Sequence, residues 1–343
     1  MDFVHFKAGE NDGGRRLDRI IRNFLDEKSL SLLYKSLRKG LIKLNGKKCR
    51  GDEKVQKDDD IQIAEFLTKK SEEASGEMNK KRLENKKKCR PLDDKIILFR
   101  NEDLLVLNKP YDLPVQGGNG KTSLAEMVQC DYEFYHQEKN SLSFKCGPLH
   151  RLDRKTSGII VFSQSLKGAR WFSDTIKNHA ARKIYLGICQ GNLKENETWK
   201  DEIINSAGNE NFKTVKINEN NSAKAPEKDS KAAVTHAFPL AHGKFGQTDV
   251  TLVKYEIETG RKHQIRAQSS FHGFPLIGDT AYGGQKIDSS KYGRDFFLHA
   301  AELDFPQENE LQNLPEKITC PIQDDFKDFL SFSLINENWS VKI

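Results

Sequence analysis

The chain has 343 residues, 31% of them charged, with a formal net charge of +6 and a pI near 8.8. Such a length suits one large domain with a smaller companion and a sizeable packed core, and the mild basic excess permits a phosphate-rich partner without demanding one. A mean hydropathy of −0.71 and the lack of any apolar run of about 18 residues exclude a membrane-spanning helix.

The first residues, Met1 to Lys7, have no signal-peptide core, so a cytoplasmic protein is expected. Leu17, Ile20, Ile21, Phe24 and Leu25 then recur at helical spacing, with Arg15, Arg16, Arg19 and Arg22 around the stripe. A second helix is predicted from Ser31 through Leu37 to Gly40, exposing Lys35, Arg38 and Lys39. Asn45-Gly46 signals a two-residue hairpin turn, and Ile61-Gln62-Ile63 a further strand. Two helices followed by strands would make a small module over 1–66. Its basic residues read equally as a solvated face or as a nucleic-acid surface.

From 67 to 93 the chain is dense in Lys and Glu with almost nothing to bury, and it reads as a charged flexible linker. Apolar runs resume at Ile96–Phe99 and Leu104–Leu107, so a hairpin is expected to open a second domain over 94–343. A helix is predicted over 166–179 and a strand over 183–188. The polar stretch 205–231 reads as an exposed excursion or a long hairpin tip.

Several chemistries find no support. Gly117-Gly118-Asn119-Gly120-Lys121-Thr122 resembles a phosphate loop, yet Val115 stands where its first glycine belongs. The stretch reads as an ordinary turn or as a loop that approaches an RNA backbone. No H-E-x-x-H pair occurs among the nine histidines, and the six cysteines form no C-x-x-C pair, so neither a metal site nor a disulfide framework is expected.

Two polar clusters stand out. His150-Arg151-Leu152-Asp153-Arg154-Lys155-Thr156-Ser157-Gly158 sets one carboxylate among cations just before the apolar run Ile159–Phe162. Thr259-Gly260-Arg261-Lys262-His263-Gln264-Ile265-Arg266 is the second. Each alone is compatible with a solvated strand and turn.

Taken in order, the motifs resemble the RluA/RluC/RluD family of RNA pseudouridine synthases. Asn108-Lys109-Pro110, the His150–Gly158 stretch, Arg182-Lys183-Ile184-Tyr185, Gly260–Arg266 and Gly278-Asp279-Thr280-Ala281-Tyr282-Gly283 correspond to successive family motifs. The first module resembles the S-four-like, or alpha-L, RNA-binding domain.

The resemblance implies an α+β fold: a catalytic domain around a mixed, mainly antiparallel central sheet, preceded by the alpha-L module. It implies isomerisation of specific uridines to pseudouridine in large-subunit (23S-type) ribosomal RNA, by a monomer without cofactor or metal. Asp153 would act as nucleophile, or abstract a ribose proton to give a glycal-like intermediate. Arg266 would keep it ionised, Tyr185 would stack on the uracil and help remove a proton, and Ile265 would pack beside the base. Arg151 would fill the space of a flipped uridine, while Lys109 and Arg154 hold phosphates. Arg261, His263 and Gln264 would complete the RNA contacts, and Arg15, Arg16, Arg19, Lys35, Arg38 and Lys39 those of the module.

In relatives an acidic residue often stands at Lys155, and Val-His at Ala267-Gln268; these departures bear on target choice more than on activity. Two rivals are kept. One is a noncatalytic RNA-binding or ribosome-assembly factor on the same scaffold; the other is a glycosidase, for which no second carboxylate is evident.

Overall fold

Asn45 and Gly46 both take positive φ, 50° and 75°. They close the hairpin between β2 (Ile42–Leu44) and β3 (Lys47–Lys48) as a primed turn requires. They belong to a computed structural model that describes residues 2–22, 30–68, 90–117, 122–136, 141–205, 212–216 and 230–333. In it β1 (Phe3–Lys7) and β4 (Asp60–Ala64) complete a small sheet of order β1-β4-β2-β3.

The opening β1 was not anticipated, because its side chains are only partly covered and no clean apolar alternation marks it. Helices α1 (Leu17–Ile21) and α2 (Leu30–Arg38) cover this sheet. Leu17, Ile20, Ile21, Leu33, Leu37, Ile61 and Ile63 form its core. Phe24 and Leu25 of the predicted stripe lie outside the described residues, as do 69–89 of the predicted linker.

A second, larger sheet has ten strands among the described residues. Its main path runs β10 (Phe212–Lys216), β9 (Glu197–Asn205), β11 (Ser230–Phe245), β12 (Thr248–Ile257), β8 (Arg182–Gln190), β13 (Leu298–Asp304), β7 (Ser157–Ser163), β6 (Leu104–Lys109), β5 (Ile97–Arg100). β14 (Lys317–Thr319) pairs with β13 off this path. Every described pairing is antiparallel except β13 with β7. The fold is therefore α+β with a mixed, mainly antiparallel sheet. Helices α3 (Leu124–Tyr135), α4 (Leu166–Lys177) and α5 (Gln264–Phe271) belong to this unit, with α6 (Ser289–Tyr292) and α7 (Asp324–Phe332) following. Part of the stretch read as an exposed excursion is strand: β10 pairs with β9 at the sheet edge. Cys49, Cys146, Cys189 and Cys320 are free thiols, whereas Cys130 is disulfide-bonded, which the absence of local C-x-x-C pairs did not foretell.

All seven residues of β7 are buried. A near-continuous apolar run such as Ile159–Phe162 is what a strand covered on both faces demands. At its start the parallel pairing puts His299 opposite Ser157 and Ala300 opposite Gly158. Gly158 has φ +104°, and a Cβ there would lie 2.2 Å from the Ala300 carbonyl oxygen. Gly158→Ala is expected to lower unfolding stability by about 2–4 kcal/mol. A denaturant midpoint equal to that of the parent would contradict this close approach.

Candidate active site

Asp153 sits in the loop that enters β7, its carbonyl accepting from Thr156 N–H at 3.0 Å. Its carboxylate faces α5 on the wall of a cavity of about 1440 Å³. Arg266 Nη1 lies 3.5 Å from Asp153 Oδ2, and His263 Nε2 lies 3.6 Å from Oδ1. Two residues far apart in the chain from Asp153 thus converge on it.

Arg266 is held more tightly elsewhere. Its Nε and Nη2 donate to Asp279 Oδ2 and Oδ1 at 2.7 and 2.8 Å, a bidentate pair. The guanidinium carbon lies 4.9 Å from the Tyr282 ring centroid and 4.6 Å from that of Phe296. Burial works against its charge, and the Asp279 hydrogen bonds and charge outweigh that, so its pKa is raised. Asp279, Tyr282 and Phe296 had been given no role. The signal available was the need of a buried arginine for a carboxylate partner.

His263 precedes α5 in the left-handed region, φ 56° and ψ 20°. Its Nδ1 is 2.9 Å from the Tyr282 hydroxyl, and burial pulls its pKa below the usual histidine value against the opposing charge of Asp153. Tyr185 lies on β8 opposite Ala300, buried at the cavity wall. Burial first, and the Asp153 charge second, push its phenol well above the ordinary range, which keeps it protonated. Ile265 lines the same cavity from α5.

Of the cations expected to meet RNA, Arg151, Arg154 and Arg261 line the cavity and are exposed. Arg154 pairs with Asp112 at 2.8 Å, and Arg261 donates to the Ala232 carbonyl at 3.0 Å. Lys155, the unusual basic residue, pairs with Asp295.

Two placements differ from expectation. Lys109 is fully buried, and its Nζ donates to the carbonyls of Pro110, Leu113 and Arg154 at 2.9, 3.0 and 2.9 Å. Burial lowers its pKa to about 7 against the attraction of Asp153. It braces the loop carrying Asp153 from beneath and presents no group to a phosphate at the surface. Gln264 is buried too: its oxygen accepts from Thr259 Oγ1 and Arg261 N–H, and its amide donates to Val234 O and Thr235 Oγ1. All four of its hydrogen bonds are made inside the protein.

Gln268, read as a departure bearing on target choice, is likewise buried against Trp199, Asp201 and Thr235. In the small module Arg19, Lys35, Arg38 and Lys39 are exposed. Arg16 pairs with Asp18 at 3.1 Å, and Arg15 donates to Ser143 Oγ at 2.8 Å. Among the described residues no group of three or more His, Cys, Asp or Glu side chains could hold a metal ion.

Residues 103–271 match the family described as RNA pseudouridylate synthase. The chain belongs to that family. It is therefore an RNA pseudouridine synthase, and the matched span holds Lys109, Asp153, Tyr185 and Arg266. The synthase is 28% identical to "Ribosomal large subunit pseudouridine synthase C" of Vibrio vulnificus, with 91% of each chain covered. The protein of that name from Escherichia coli O157:H7 is 26% identical, with 92% of each covered. Among solved structures, "Human RNA Pseudouridylate Synthase Domain Containing 4" shares the fold with a TM-score of 0.56 at 22% identity, covering 71% of this chain and 94% of that one.

Replacing Asp279 with Ala leaves the Arg266 guanidinium buried without its bidentate partner. The expected loss is about 3–5 kcal/mol of stability, with pseudouridine formation falling in the fraction that stays folded. Equal melting temperatures for Asp279→Ala and the parent would refute the pairing. A second expectation concerns His299, which is fully buried, its Nε2 donating to the Cys320 carbonyl at 3.1 Å and its Nδ1 2.9 Å from Ser157 Oγ. Burial, opposed by the Cys320 bond, lowers its pKa to about 4. Between about pH 6.5 and 4 the unfolded chain binds a proton there that the native state excludes. Stability should fall as pH falls through this window, by up to about 1.4 kcal/mol per pH unit. Denaturant titrations across pH should show a shallower slope for His299→Gln than for the parent.

Proposed function

We propose that the substrate is large-subunit ribosomal RNA, bound by an alpha-L module over 1–66 and acted on by a catalytic domain over 94–343. The full-length likeness to large-subunit synthases and the basic cavity rim support this reading. No described helix is long and apolar enough to cross a membrane, in keeping with a cytoplasmic enzyme, which we take to act as a monomer.

The carrying observation is the Arg266 and His263 contact on Asp153, at 3.5 and 3.6 Å, on the wall of one cavity. Isomerisation breaks the bond from ribose C1′ to uracil N1, turns the ring, and joins C1′ to C5. The C5 proton leaves and N1 gains one, so atoms balance without an oxidant or hydrolysis. Asp153 serves this chemistry as an ionised carboxylate, either bonding to the sugar or base, or taking the ribose 2′ proton. Arg266 favours the ionised form inside a site from which substrate excludes water.

Tyr185, kept neutral by burial, offers a ring face to the uracil and a hydroxyl that donates. Removal of the C5 proton by Tyr185 would require the tyrosinate that its surroundings disfavour. A paired uridine reaches Asp153 only by leaving its stack, at a cost of roughly a few kcal/mol. Arg151, exposed and two residues before Asp153, occupies the vacated space in this reading.

A noncatalytic assembly factor would have no need of an arginine aimed at Asp153 and clamped between Asp279 and two rings. Mapping pseudouridines in ribosomal RNA from a strain lacking this protein, then restored with the parent or with Asp153→Asn, tests the reading. Specific sites should disappear, return with the parent, and stay absent with the variant, whose single-turnover rate should be about 10³-fold lower or worse. Sites found only in transfer RNA would reject the ribosomal assignment; full restoration by Asp153→Asn would reject the catalytic one.

A further inference from the structure

The small sheet is joined to the catalytic sheet by a polar seam. Asp12 is fully buried in it and accepts from Ser141 Oγ and Ser143 Oγ, both at 2.6 Å, and from Leu142 N–H at 2.7 Å. Asn11 Oδ1 accepts from the N–H of Leu166, the first residue of α4, at 2.8 Å. Leu142 packs on the core of the small sheet. With both carboxylate oxygens of Asp12 engaged in the seam, three arginines gather beside it. Arg15 is anchored to Ser143 Oγ, Arg19 is exposed on α1, and Arg170 reaches across from α4. A Cβ on Gly14, next to Arg15, would lie 3.5 Å from Arg170 Nη1. Arg170 is exposed and makes no ion pair among the described residues.

We propose that Arg15, Arg19 and Arg170 form one phosphate-binding site spanning the two units, and that it holds the sugar-phosphate backbone of RNA beside the catalytic cavity. The proposal rests on the RNA-directed reading above and adds a site that neither unit possesses alone. Like charges so close repel. The pKa of Arg15 is lowered by its burial and, against the attraction of Asp12, by Arg170 and Arg19. A phosphodiester relieves that repulsion, and guanidinium forks match its oxygens bidentately. The position is also apt. α4 runs from the seam at Leu166 past Arg170 to Ile176, which lines the cavity of Asp153. The rise from Arg170 to Ile176 is about 9 Å, so the seam lies less than two helical turns from the wall of that cavity.

The test measures binding of a fluorescently labelled RNA hairpin to the full chain over a range of salt concentrations. Arg170→Ala should raise Kd about three- to tenfold at low salt and make the slope of log K against log salt shallower by about one. Arg170→Lys should restore most of the slope. In an Arg15→Ala background the same Arg170→Ala change should cost less, because the groups share one ligand. An unchanged Kd and slope for Arg170→Ala would overturn the site, and strictly additive costs would overturn its composite nature. Absence of pseudouridine with the parent itself would count against the functional reading and leave the seam measurement standing.

Discussion

A single buried guanidinium organises the wall of the cavity that holds Asp153. Arg266 takes its geometry from Asp279, through two short hydrogen bonds, and lends its remaining edge to Asp153 at longer range. Such an arrangement has a direction. The tight pair offsets the cost of burying the charge, and the looser contact can then respond to substrate without leaving the arginine unpaired. Tyr282 and Phe296 restrict the plane of the guanidinium, and Tyr282 also touches His263, so both groups that face Asp153 share one aromatic support.

The loop that carries Asp153 is fixed from the other side. Lys109 binds the Arg154 carbonyl from below, Gly158 abuts Ala300, and Ser157 is tied to His299 and Arg294. The carboxylate is thereby set before RNA arrives, which is how a site avoids spending binding energy on its own ordering. Ser143, on the far side of the same chain segment, lies in the seam with the small sheet. The seam and the cavity are thus parts of one connected framework.

Much of this was legible in the residues. The Asn45-Gly46 turn, α2, α4, β7 and β8 follow from local periodicity and turn chemistry, and the motif order pointed to Asp153, Tyr185 and Arg266 together. What escaped was long-range satisfaction of polar groups. Lys109 and Gln264 belong to residue types that usually face water, and only the fold shows three carbonyls around one and four partners around the other. Asp12 drew no expectation at all, since nothing local announces a pair of serines far along the chain. β1 lacked a clean alternation because its strand is only half covered.

The lone parallel contact among the described strands, β13 against β7, has a consequence for synthesis of the protein. Ser157 and Gly158 meet His299 and Ala300 only after most of the remaining chain has been made. At roughly 5–20 residues per second, the segment bearing Asp153 leaves the translating ribosome well before Arg266, Asp279 and Ala300 exist to frame it. An incomplete nascent chain therefore carries the acid without its clamp. The frame around the Asp153 loop is therefore closed only near the end of translation, when Arg266, Asp279 and Ala300 have all been added.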